Sequence, residues 1–152
     1  MAKHKHGLNI PPVYFLVALG AMALLHAAVP VLPLFVAPYR YAGIVVIALA
    51  LGLAAWGALL FRRAGTGIVP FSPATALVTR GPYRFTRNPM YLGMAGTLLG
   101  AAILMGSLTP FVVIPAFMAV IAERFILRAE AMLEQAFGSA YLDYKARVRR
   151  WL

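Results

Sequence analysis

Four long stretches of this chain are almost free of charge: residues 13–37, 41–61, 90–108 and 111–127. They cannot all be hidden inside a water-soluble domain. The chain has 152 residues, 62% of them hydrophobic and only 12% charged, too little polar surface to cover such a core. Lipid is the solvent that suits them, and in hydrocarbon every backbone N–H and C=O must find its partner within the protein. Helices meet that demand when they are about 20 residues long. The expected fold is therefore an all-α integral membrane protein with four transmembrane helices, forming a single domain over residues 1–152. Pro30 and Pro33 fall near the far end of the first stretch and should kink or end that helix.

The basic residues orient the spans. Lys3 and Lys5 precede the first span, and Arg62, Arg63, Arg80, Arg84 and Arg87 lie between the second and third. Arg124, Arg128, Lys145, Arg147, Arg149 and Arg150 lie at or beyond the end of the fourth, and only Arg40 falls on the opposite side. Thirteen of 14 thus share one side, which the positive-inside rule makes cytoplasmic, with both termini there. A prokaryotic cell membrane is the expected location. The first residues resemble a signal-peptide n-region, but the apolar run after them is long and lacks a clear cleavage site, so an uncleaved first span is expected. The net charge of +10 does not indicate nucleic acid, because the basic residues flank spans instead of lining a soluble face. With no cysteine, disulfides, thiolate metal sites and cysteine nucleophiles are excluded.

Two segments carry more than topology requires: 73–93 and 123–151. In the first, Gly81-Pro82 and Asn88-Pro89 are turn formers, and Tyr83 and Tyr91 flank Arg84 and Arg87. Gly81 allows close backbone approach to a ligand, and either arginine could offer a fork to a carboxylate or phosphate. The residues alone serve equally well for a binding site and for a topogenic loop touching lipid headgroups. In the second, the pattern from 128 to 148 is that of an amphipathic helix or helix pair. Its apolar positions are Met132, Leu133, Phe137, Tyr141, Tyr144 and Val148, with Gly138 interrupting. An interfacial helix that merely anchors the chain would look the same. If this segment continues the fourth span as one helix, Glu123, Glu130 and Glu134 share a face.

The stretch Gly81-Pro-Tyr-Arg-Phe-Thr-Arg-Asn-Pro-Met-Tyr-Leu-Gly93 resembles the Gly-x-Tyr-x-x-x-Arg-(His/Asn)-Pro-x-Tyr-x-Gly signature of the isoprenylcysteine carboxyl methyltransferase family and its phospholipid methyltransferase relatives. The tail from Glu130 to Trp151, with its Phe-Gly, paired tyrosines and Val-x-Arg, resembles the tail of the same family. The resemblance covers about residues 62–152. It implies methyl transfer from S-adenosylmethionine, with S-adenosylhomocysteine as product, to a membrane-embedded, lipid-like or prenylated acceptor. That acceptor would be a carboxylate as in isoprenylcysteine O-methylation, or alternatively the amine of a phospholipid. It also implies a cofactor pocket lined by Leu77, Val78, Gly81, Pro82, Tyr83, Asn88, Pro89, Tyr91 and Glu130. Arg87, then Arg84, would position an anionic acceptor, and Glu130 would be the base for an amine. The family usually has two consecutive glutamates where this chain has Ala129-Glu130, and often a histidine where it has Asn88.

Other features read more plainly. His26, without an acid in the spans, is expected to be a satisfied packing residue, which also disfavours a proton-coupled transporter. A non-catalytic assembly subunit remains a further alternative. His4 and His6 form at most a weak metal site. Gly93, Gly96 and Gly100 share a helix face suited to close packing. Glu134 and Asp143 are expected on a solvated face, weakly paired with Lys145 or Arg147. No glycine-rich loop follows a strand pattern, so a soluble dinucleotide-fold methyltransferase is excluded. The orientation is testable with reporter fusions: both termini should report the cytoplasm and residues 38–40 the opposite side. Termini on opposite sides would break the thirteen-to-one argument.

Overall fold

The computed structural model describes residues 10–67 and 73–152; Lys3, His4, Lys5 and His6 lie outside the described residues. Within them the chain forms α1 (Pro11–Ala28), α2 (Ala42–Arg63), α3 (Pro89–Met105), α4 (Val113–Ile121), α5 (Leu127–Phe137) and α6 (Ser139–Arg147). It is an all-helical multi-pass membrane protein. Three continuous helical stretches, Pro11–Ala28, Tyr39–Arg63 and Thr109–Phe137, are long and apolar enough to cross a bilayer. The apolar α3 is shorter, with 17 residues. Leu16, Val17, Leu24 and Leu49 are each more than 60% exposed, and so stand where lipid would be.

Two of the expected spans end elsewhere. The first helix stops at Ala28 instead of Ala37. Pro30 and Pro33 lack the N–H that the next turns need, and each restricts the residue before it; Leu32, before Pro33, takes a positive φ of 47°. The chain then runs back extended against the turn between α3 and α4. Leu34 and Phe35 both donate their N–H to the Gly106 carbonyl, at 2.8 and 3.1 Å, and Leu108 N–H donates to Val31 O at 2.9 Å. This contact satisfies backbone groups that no helix holds. His26 joins it, with Nδ1 2.7 Å from Ser107 Oγ, and is a satisfied packing residue as expected.

The fourth span has no end at residue 127. The helix from Thr109 continues to Phe137, but it passes through a π turn at Ala122–Ile126. A π turn holds one residue more than an α turn, so it rotates everything after it. Both Phe125 and Ile126 therefore face the core, at 1% and 0% exposure. Downstream, Glu130 turns inward while Glu123 and Glu134 stay outside, so the three acids do not share a face. The main core is built from Ala18 and Met22 of α1, Ala95, Leu98 and Ala102 of α3, and Phe117, Ile121, Phe125 and Ile126.

α2 and α3 lie against each other along their length. A Cβ at Gly93 would stand 2.6 Å from Ala50 O, one at Gly96 2.9 Å from Ala50 Cβ, and one at Gly100 2.6 Å from Ile47 Cγ1. Gly43 would meet the Gly100 carbonyl. Gly52, on the open side of α2, would meet nothing within 4 Å. Gly93→Ala should therefore cost about 1–3 kcal/mol through overpacking. Gly52→Ala should be neutral or stabilise by up to about 1 kcal/mol through helix propensity. Thermal unfolding in detergent checks the contrast, and equal effects at the two sites would contradict this packing.

Candidate functional site

Four pieces of chain meet at the end of α2: the segment 74–78, the turn and loop 81–88, the π turn with α5, and α6. They enclose a partly open cleft whose cavity volume is about 50 Å³. One wall is Leu77, Val78 and Phe61; another is Ile126, Ala129, Glu130 and Leu133; Tyr83, Arg87, Asn88, Tyr141 and Tyr144 complete it.

The turn Gly81–Arg84 sets the first wall. Gly81 has φ +59°, a conformation that favours glycine, and lies against Leu60 and Trp56 of α2. Pro82 then starts a 3₁₀ turn. Tyr83 drops inward to 3% exposure, its ring 5.3 Å from that of Phe61. Its carbonyl accepts a 2.7 Å bond from the Tyr144 hydroxyl, which ties α6 to the turn. Burial raises the pKa of Tyr83, Tyr141 and Tyr144 above the ordinary tyrosine value, so all three phenols stay protonated at neutral pH. Glu130 adds to the rise at Tyr141, and Arg87 opposes it.

The residues after α6 strap the loop. Arg87 N–H donates to Arg149 O at 3.0 Å, while Thr86 Oγ1 and Asn88 Nδ2 both donate to Arg150 O, at 3.2 and 3.0 Å. Thr86 also accepts the Asn88 N–H, at 3.1 Å. Asn88 is thus a cleft-lining residue whose amide is committed to the tail.

The charges converge on Glu130, which is 6% exposed. Arg150 grips it with a bidentate fork, Nε to Oε1 and Nη2 to Oε2, both 2.9 Å. That hydrogen bonding raises the pKa of Arg150. Arg87 Nη2 lies 3.3 Å from the same Oε1. The Arg87 side chain is 9% exposed, yet its Nε and Nη1 are buried with no hydrogen-bond partner among the described residues. Two guanidiniums on one carboxylate leave an excess positive charge in the cleft, and donors that favour an incoming anion.

Of the expected site residues, the structure gathers Leu77, Val78, Tyr83, Arg87, Asn88 and Glu130 around the cleft. Gly81 and Pro82 shape the turn without lining it. Pro89 opens α3 and packs beside Gly57, and Tyr91 faces the main core, 6.5 Å from the Phe125 ring. Arg84 is exposed and outside the cleft lining. Tyr141, Tyr144 and Arg150 belong to the family-like tail pattern, but the sequence gives them no place in the site; the structure puts the tyrosines in the cleft wall and Arg150 on Glu130. The pair spacing of the tyrosines with the basic tail was the signal for both. Glu134 is on the surface, 3.3 Å from Lys145 Nζ.

Residues 39–140 match the family model of phospholipid methyltransferases. An uncharacterized protein of Haemophilus influenzae is 38% identical over 63 residues, which is 41% of this chain and all of that protein. Among solved structures, the eukaryotic intramembrane Ras methyltransferase, isoprenylcysteine carboxyl methyltransferase, aligns over 100% of this chain with a TM-score of 0.64 and 23% identity. The chain spans about half of that enzyme, 54% of its length, and the likeness is one of fold.

The strap predicts a measurable weakness. Asn88→Ala removes one of the two side-chain donors to Arg150 O and should lower stability by about 1 kcal/mol. It should also speed tryptic cleavage after Arg147, Arg149 and Arg150 relative to cleavage after Arg62. Unchanged cleavage at the tail would mean that the strap does not depend on this bond.

Proposed function

The chain belongs to the phospholipid methyltransferase family, and on that premise we propose that it transfers the methyl group of S-adenosylmethionine to a membrane-resident, lipid-like acceptor. The observation that carries this reading is the Arg87 guanidinium, whose Nε and Nη1 have no hydrogen-bond partner among the described residues, buried beside Glu130 in an aromatic-walled cleft at the end of apolar helices. S-adenosylmethionine has a carboxylate for such donors, and a sulfonium that is stabilised by aromatic faces and oxygen acceptors. Tyr83, Tyr141 and Tyr144 supply both. Glu130 is held by both arginines, Oε1 by Arg150 and Arg87 and Oε2 by Arg150. We take α3 as a fourth span and the cleft as cytoplasmic, in keeping with the basic residues around it.

Bound there, the cofactor would supply an electrophilic methyl group for the acceptor's lone pair, with its sulfur as the leaving group. No covalent enzyme intermediate is needed. The residues of the chain act by holding the reactants in line and excluding water, which is where most of the acceleration in such a displacement arises. A carboxylate acceptor is favoured over an amine. Glu130 is the one carboxylate among the described lining residues, and its hold by two arginines leaves it poorly placed to remove an amine's proton. A carboxylate is already ionised and asks only for positioning, a role that suits Arg87.

Arg87→Lys is the direct test. Lysine keeps the charge but loses the planar fork. Methyl transfer to a prenylcysteine-type acceptor should fall about tenfold or more, the equivalent of one charge-assisted bond worth about 1.5–3 kcal/mol. Calorimetry with S-adenosylhomocysteine says which ligand the fork serves: unchanged affinity assigns it to the acceptor, an equal loss to the cofactor carboxylate. Wild-type turnover in the variant would remove Arg87 from the site. Absence of S-adenosylhomocysteine binding to folded wild-type protein would overturn the methyltransferase reading itself.

A further inference from the structure

Arg87 and Arg150 approach the same carboxylate on unequal terms. Arg150 takes both oxygens of Glu130 at 2.9 Å, whereas Arg87 reaches Oε1 with a single nitrogen at 3.3 Å. Arg87 is nevertheless the more buried of the two, with its side chain 9% exposed against 36% for Arg150. A buried arginine beside a buried glutamate would ordinarily close a bidentate pair with it, because each group lacks water and needs the other. Here that pairing is pre-empted by Arg150.

We propose that Arg150 is a positioning residue: by taking both oxygens of Glu130, it keeps the Arg87 donors Nε and Nη1 available to the carboxylate of a ligand. The inference rests on the methyltransferase reading above and adds to it the device that makes the cleft receptive to anions. Electrostatics supplies the reason. With Arg150 in place the three side chains carry a net single positive charge in a partly dry cleft. Without it, Glu130 and Arg87 neutralise each other, and the donors at Nε and Nη1 turn toward Glu130. An arriving carboxylate would then have to displace an internal one. The seating of the tail and the receptivity of the cleft are thereby coupled, since the Arg150 carbonyl is fastened by Thr86 and Asn88 on either side of Arg87.

The coupling can be tested on the full chain in detergent with two probes. S-adenosylhomocysteine carries the amino-acid carboxylate, and 5′-methylthioadenosine is the same nucleoside thioether without it. Arg150→Gln leaves the backbone strap intact and removes the fork. It should weaken S-adenosylhomocysteine by about tenfold or more, and 5′-methylthioadenosine by less than about twofold. Adding Glu130→Gln should then strengthen S-adenosylhomocysteine binding relative to Arg150→Gln alone, because the competitor for Arg87 has gone. That reversal of sign is not expected if Arg150 merely anchors the tail. If instead the acceptor provides the carboxylate, both probes bind Arg150→Gln as they bind wild type. The KM for a prenylcysteine-type acceptor then rises about tenfold and recovers in the double variant, which supports the proposal with the acceptor as source. Equal losses of both probes, no effect on either probe or on KM, or a double variant no better than Arg150→Gln would each overturn it. If Arg150→Gln does not fold, Arg150→Lys replaces it, with a smaller loss of the same pattern expected. Wild-type protein that binds neither probe would defeat the methyltransferase reading, a result distinct from all of these.

Discussion

Apolar helices in lipid gain little by hiding hydrocarbon from a solvent that is itself hydrocarbon, so α2 and α3 must hold each other by the closeness of their backbones. Gly43, Gly93, Gly96 and Gly100 provide that closeness, each standing where a Cβ would strike the opposing helix. The same line of approach continues out of the apolar region. Gly57 admits Pro89 at the first turn of α3, and Gly81 admits Leu60 and Trp56 at the last turns of α2. The loop that carries Tyr83 and Arg87 is therefore seated by the packing that joins the two helices, and one contact type serves both the bundle and the site.

The second organising element is the π turn at Ala122–Ile126. In an uninterrupted α-helix, the inward positions after Ile121 and Phe125 would be Arg128 and Met132. The extra residue moves the inward face to Ile126, Glu130 and Leu133, all of which line the cleft. A long apolar helix thus changes from a hydrocarbon-facing element to a wall with a buried carboxylate without breaking its axis. Such turns recur at functional sites because they re-aim side chains at small cost to the backbone hydrogen bonding.

These facts explain what could be read from the chain and what could not. The apolar runs, the glycine face, the satisfied His26 and the break at Gly138 follow from local chemistry, and all are present. So is the gathering of Leu77, Val78, Tyr83, Arg87, Asn88 and Glu130, which turn chemistry and the family-like pattern marked together. The end of α1 was misplaced because the residues around Pro30 and Pro33 are as apolar as the helix before them. Composition alone does not register that backbone hydrogen bonding has passed to Gly106 and Leu108. The shared face expected for Glu123, Glu130 and Glu134 failed because a π turn has no compositional mark. Arg150 is the arginine of the family-like Val-x-Arg pattern, but no sequence feature shows that it reaches back twenty residues to Glu130; only the fold does.

The tail strap also bears on how the molecule is made. A ribosome delivers the helices in order, and α1 through α4 can enter the bilayer and pack before residues 148–151 exist as peptide. Until that strand emerges and pairs with Thr86, Arg87 and Asn88, the loop lacks its cover and Glu130 lacks its clamp. The cleft thus closes only after α1 through α4 have been made. A nascent chain caught midway would carry the scaffold without the closed cleft, so the order of synthesis itself delays when that cleft takes shape.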